Sequence, residues 1–197
     1  MMTSRREILK AGVAASALPL AAGALAAPGE HAEVVALYKF LYDTRFPDSV
    51  AFARRAAEHG HAVHAMQGDM TRFWYDDLHH RWRQGPAAIA GLTAHGALFC
   101  LERLAWDQRM RVVFRAEHTV AASGCVAHAV EGPAALVERA ADTAVGSGWA
   151  EAMADIAVQC PRRRTQRRAA RIETATATRS PPTEKLYSWV IARVERI

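Results

Sequence analysis

Four short stretches place acidic, basic, hydroxyl and imidazole side chains just after apolar runs. They are Asp43-Thr44-Arg45, Gly68-Asp69 with Thr71, Thr93-Ala94-His95-Gly96, and Glu117-His118. Arg45 offers a planar fork that grips a carboxylate or phosphate through two parallel hydrogen bonds. The Thr93–Gly96 stretch leads straight into a helical pattern, so its free backbone N–H groups and the positive helix end favour an anion. Asp43, Arg45, Asp69, Thr93 and His95 are therefore the candidate ligand-binding residues, and a small anionic ligand is their expected partner. A purely structural reading competes with this one. In it, Asp43 and Thr93 cap helices and Arg45 pairs with Asp43 or Asp48.

The same residues admit acid–base chemistry. His95 or His118 would act as the general base, oriented by Asp43 or Asp69. Cys100 lies one turn into a helix, where a thiol can become nucleophilic. Its neighbours Phe99 and Leu101, and Leu104 four residues on, favour a buried packing role instead. His59, His61 and His64 resemble a metal cluster in composition only. His61 and His64 are three apart on a strand and point to opposite faces. No metal site is expected there, nor from Asp69, His95 and His118. No cofactor is expected either. The first strand is followed by Tyr42-Asp43-Thr44-Arg45-Phe46-Pro47 rather than a G-x-G-x-x-G loop, and the chain has no P-loop, no G-x-S-x-G elbow and no C-x-x-C. Arg162 to Arg168 form a basic run without aromatic neighbours in sequence, so it reads as solvated surface and no nucleic-acid partner is expected.

The elements that must position these residues alternate in period. Val34–Tyr42 is a nearly continuous apolar run, as in a strand buried on both faces. Pro47-Asp48-Ser49 opens a helix that Gly60 ends. A short strand over His61–Gln67 follows. Met70, Trp74, Leu78 and Trp82 then recur every four residues on one helix face. Strands over 87–93 and 111–115 flank a third helix marked by Leu98, Leu101 and Leu104. This β-α-β-α-β-α-β order predicts an α/β three-layer sandwich with a mostly parallel sheet and a 2-1-3-4 strand order. A strand over 125–130 should return beside the fourth one, and Leu186–Ile191 should be a last strand, so antiparallel strands are added at one edge. Helices follow Gly132-Pro133 and begin near Trp149. Residues 161–184 lack periodicity and read as a mobile surface loop. The general resemblance is to flavodoxin-like or Rossmann-like folds. In such sheets ligands bind beyond the strand carboxyl ends where strand order reverses, which groups Asp43 and Arg45 with Thr93 and His95.

Composition limits the partners. The chain has 197 residues, 51% of them hydrophobic, with a net charge of +5. Its opening, Ser4-Arg5-Arg6-Glu7-Ile8-Leu9-Lys10, resembles the twin-arginine export signal S/T-R-R-x-F-L-K, with Ile8 in place of Phe. Ala11–Ala22 supplies the apolar region, and Ala24-Leu25-Ala26 fits the small-x-small cleavage rule. The resemblance implies a leader over 1–26, a single α/β domain over 27–197, the twin-arginine translocase as export partner, and a periplasmic protein delivered already folded. No membrane span is expected after cleavage. Loss of Arg5, Arg6, Lys10 and Glu7 removes a net +2, leaving too little charge for a dedicated nucleic-acid binder. An oxidising compartment makes Cys125–Cys160 the preferred pair among the three cysteines, with Cys100 left over. The expected function is an exported binding or accessory protein. Two alternatives are a small periplasmic enzyme and a non-catalytic subunit of a redox or transport complex.

Overall fold

The computed structural model describes residues 33–121, 123–144, 146–173 and 184–193. The leader over 1–26 lies outside these residues, as does 174–183, the larger part of the second half of the segment read as a loop. β1 (Leu37–Asp43), α1 (Pro47–Glu58) and β2 (Val63–Met66) open the domain. A single helical rod follows in three pieces: α2 (Thr71–Phe73), a π-helical turn (Trp74–Leu78) and α3 (His79–Arg83). Next come β3 (Ala88–Ala94), α4 (His95–Asp107), β4 (Arg111–Val120) and β5 (Val126–Pro133). The chain continues through α5 (Ala134–Thr143), α6 (Trp149–Ala157), β6 (Arg167–Glu173) and β7 (Leu186–Ala192).

The sheet order is β2-β1-β3-β7-β4-β5-β6. β1 runs parallel to both β2 and β3, and every other pairing is antiparallel. The α/β sandwich and the 2-1-3 order therefore stand, while the expected mostly parallel pairing becomes a mixed sheet. β4 still points the same way as β1, β2 and β3, but β7 is inserted between β3 and β4, antiparallel to each. Side chains explain the insertion. β7 is apolar on both faces: Leu186 and Val190 enter one core, Trp189 and Ile191 the other. A strand of that kind belongs in the middle of a covered sheet. β4 alternates instead, burying Phe114, Ala116 and His118 while Arg115 and Glu117 stay half-exposed.

Two cores lie on the two faces. Phe40, Phe52, Leu92, Phe114 and Trp149 belong to the first, beneath α1, α5 and α6. Leu41, Phe73, Leu78, Trp82, Leu101 and Trp189 belong to the second, beneath the 71–83 rod and α4. The second core stops at Val112 on β4, so β5 and β6 are covered by helices on one face only. β6 occupies part of the stretch read as a loop. Ile172 is its only buried side chain, and Arg167, Arg168, Arg171 and Glu173 are exposed. One apolar anchor gives no readable period, and the charges suit a sheet edge that must not pair with another chain. Among the described residues no helix is long and apolar enough to cross a membrane.

Candidate functional site

At the carboxyl ends of β1 and β3 the expected crevice is filled by its own side chains. The Asp43 carboxylate is fully buried. Arg45 grips it through Nε at 2.9 Å and Nη2 at 2.6 Å, and the Arg45 backbone N–H donates to the same group at 3.1 Å. Glu184 stands 3.9 Å from Arg45 Nη2. The hydrogen bond to Asp43 is the main reason the guanidinium is held in its charged form even more firmly than usual. Gly68, at φ +81°, gives this guanidinium its place, because a Cβ there would meet Arg45 Cζ at 2.9 Å. Ser49, buried on α1, accepts from the Asp43 N–H at 2.8 Å and donates to the Leu92 carbonyl, tying β1 to β3. Thr93 is buried, and its hydroxyl accepts from Trp189 Nε1 at 3.1 Å.

The other sequence candidates lie apart from this pair. Asp69 accepts from the Thr71 hydroxyl at 2.6 Å and from its backbone N–H at 2.8 Å, which holds its carboxyl below the usual range. It closes its own turn at the start of α2. His95 is exposed on α4 and packs at a tilt against Tyr187 and Phe99, with ring centroids 5.4 and 6.0 Å away. Cys100 is exposed, correcting the expectation of a packed thiol. The core side of α4 is taken by Ala97, Leu98, Leu101 and Ala105, and Cys100 falls outside that stripe. The Cys125–Cys160 pair does not form. Cys125 stands where β4 turns into β5, whereas Cys160 follows α6 beside the start of β1, its carbonyl accepting from Val35 N–H at 2.8 Å. Burial pushes the Cys160 thiol up to about 12. Among the described residues no three His, Cys, Asp or Glu side chains gather as metal ligands.

His118 is, like Asp43 and Thr93, shut away from solvent. It is 1% exposed and sits directly opposite His128 in the β4–β5 pairing. The two Nδ1 atoms are 2.6 Å apart, so the ring holding that proton donates to the other. His118 Nε2 meets Ser188 Oγ at 2.9 Å, and Trp149 of α6 covers both rings. Burial, helped by the neighbouring imidazole, drives His118 well below the ordinary histidine range. Burial takes His128 down to about 4, opposed by the backbone carbonyl region of Ala144, although His128 Nε2 makes no well-formed hydrogen bond. The cluster is a polar core with no exposed member.

Two irregularities converge on a third cluster that the sequence pattern did not reveal. A shift in the β1–β3 register at Leu37/Lys39 and the π-helical turn together bring Tyr38, Lys39 and Asp77 into one group. Tyr38 donates to Asp77 Oδ1 at 2.6 Å and Lys39 donates to Oδ2. Burial alone would raise the Asp77 carboxyl, but these two bonds outweigh it and hold the group low. Every charge here has its partner, so the cluster fastens the 71–83 rod to β1.

The opposite edge of the sheet is different. A cavity of about 470 Å³ opens at the amino end of β4, with an apolar floor that includes Val112, Val113 and Ala192. Five arginines line it: Arg109, Arg111, Arg163, Arg164 and Arg167. Arg167 is anchored, donating to the Val113 carbonyl at 2.7 Å and to Glu131 at 2.9 Å. Arg111 donates to the Met110 carbonyl at 2.7 Å. Arg109, Arg111, Arg163 and Arg164 form no ion pair with a carboxylate among the described residues. Arg109 also takes φ +56°, the only non-glycine residue with positive φ among those described. It ends α4 in a Schellman arrangement, with Met110 N–H bonded to Ala105 O and Arg109 N–H to Trp106 O, each at 3.0 Å. That position ordinarily takes glycine. The signal for this cleft was present as the 162–168 run and as Arg109-Met-Arg111. Only the fold reveals that the two flank one space.

No family model, curated protein or solved structure matches the chain.

Proposed function

We propose that this is an exported, non-catalytic binding protein whose ligand is an anion held in the arginine cleft at the amino end of β4. One observation carries the reading: four arginines without carboxylate partners among the described residues surround a single cavity, and one of them occupies a backbone conformation that favours glycine. Like charges gathered around a low-dielectric floor repel one another, and a bound anion relieves that repulsion. A left-handed arginine costs backbone energy that a glycine would avoid, and strain of this sort is retained where a side chain is needed. The twin-arginine-like leader supports the export part of the reading. The cleft lining holds no carboxylate, imidazole or thiol; apart from the arginines it consists of apolar residues and Thr165.

Titration calorimetry with tripolyphosphate tests the proposal on the full chain. Arg163→Ala with Arg164→Ala should weaken binding about tenfold or more, on the scale of 1.5–3 kcal/mol for hydrogen bonds to charged groups. Arg45→Ala with His95→Ala should leave affinity within a factor of two. The opposite pattern would return the anion site to the carboxyl ends of the strands.

A further inference from the structure

The exposed side of α4 adds rings to the charges of the cleft. Phe99 and Trp106 are two of the six exposed large hydrophobic residues among those described, at 45% and 41%. Arg103 lies between them, its guanidinium carbon 5.1 Å from the Phe99 ring and 4.2 Å from the Trp106 ring. Arg111 lies over the same indole at 5.6 Å and also lines the cavity. His95 packs at the far end against Phe99. Rings and guanidiniums therefore follow one another along α4, from His95 and Phe99 through Arg103 to Trp106, over about 16 Å at 1.5 Å per residue, and Arg111 carries the series into the cleft. Of the acidic groups along this side, Glu102 is neutralised by Arg115 at 2.7 Å, leaving Asp107 at the end of the helix.

We infer that the anion is a single-stranded nucleic acid, its bases laid along the α4 ladder and its phosphates in the arginine cleft. The inference rests on the anion-binding reading and names its ligand class. Phosphates account for the unpaired guanidiniums; a simple polyanion leaves the exposed rings without a role. Single-strand binders combine these two features, a basic groove for the backbone and aromatic or arginine planes for the bases. Arg162 to Arg168 has no aromatic neighbours in sequence, but Arg111, which shares the cleft with Arg163, Arg164 and Arg167, also lies over Trp106. An acidic peptide would match the charge, yet it lacks the repeating planar groups that this ladder fits.

Fluorescence anisotropy with the full chain separates these claims, using a 12-nucleotide oligo-dT, an abasic oligomer of equal length and charge, and poly-glutamate. Oligo-dT should bind at least tenfold more tightly than the abasic strand, since only the strand with bases can stack on the ladder. Trp106→Ala should remove most of that difference while leaving abasic binding unchanged, and Trp106→Phe should restore much of it. Arg163→Ala with Arg164→Ala should weaken both strands and reduce the slope of log K against log salt by about 1.4. Equal binding of oligo-dT and the abasic strand, or tighter binding of poly-glutamate, overturns the nucleic-acid inference and leaves the anion cleft standing. Failure of all three probes to bind, together with failure of tripolyphosphate, overturns both.

Discussion

At the carboxyl ends of β1 and β3, a guanidinium closes on a buried carboxylate; at the amino end of β4, four guanidiniums have no carboxylate partner among the described residues. Both edges belong to one sheet and both use arginine, so the difference lies in what surrounds the charge. Asp43 is fully buried and would be costly to leave alone, and Arg45 answers it with two side-chain bonds and a backbone N–H. Such a pair locks a loop, and its guanidinium has little left to offer a ligand. Arg163 and Arg164 project from an exposed stretch beside an apolar floor, without an ion pair among the described residues. The lesson concerns the rule for open α/β sheets, which places ligands beyond strand carboxyl ends. The rule presumes a free crevice. Here Arg45, packed against Gly68, occupies it.

Three perturbations sharpen the contrast. The largest effect should come from acid, acting near the closed edge on the buried His118–His128 pair. An imidazole whose folded pKa is depressed binds its proton first in the unfolded chain. Its stabilising contribution is therefore complete above about 6.5 and is lost as pH falls towards about 4, the value for His128. The loss from His128 alone is on the order of 3 kcal/mol. Urea unfolding at pH 7, 5.5 and 4.5 should show stability falling across that window, and His128→Phe should flatten the fall. An unchanged midpoint would mean that the pair is hydrated or already charged.

A somewhat smaller effect is expected when the closed edge is opened. Arg45→Ala leaves the Asp43 carboxylate buried without its cation. Breaking a fully buried pair costs about 3–5 kcal/mol, and because the Arg45 side chain is 44% exposed, solvent reduces this to roughly 2–3 kcal/mol. Urea unfolding measures it, and anion affinity should not change with it.

The smallest effect divides stability from binding at the open edge. Arg109→Gly relieves the left-handed conformation and should stabilise the fold by about 1 kcal/mol. The same change should lower tripolyphosphate affinity a few-fold. A gain in stability with no loss of affinity would make Arg109 an ordinary helix cap.

Much of the architecture was legible in the residues. Pro47-Asp48-Ser49 marked the start of α1, Gly60 its end, and the four-residue spacing of Met70, Trp74, Leu78 and Trp82 marked the rod. The apolar run through Ile89 and Leu92 marked the fully buried β3. Long-range placement was not legible. Leu186–Ile191 reads as a strand, but nothing local says that it enters between β3 and β4; that follows from its two apolar faces once a covered slot exists. β6 escaped notice because one buried isoleucine makes no period. In the site, the Asp43–Arg45 pairing could be anticipated from a two-residue spacing. The cleft could not, since Arg109 and Arg163 are brought together only when α4 ends and the chain after α6 crosses the same edge.

The central claim is that the open edge, and not the closed one, receives the anion. Arginine Nε–Hε NMR signals, recorded on the full chain during a tripolyphosphate titration, report on each guanidinium separately. The resonances of Arg109, Arg111, Arg163 and Arg164 should shift together with one saturating curve while that of Arg45 stays in place. Movement of Arg45 with the other four unchanged would contradict the account.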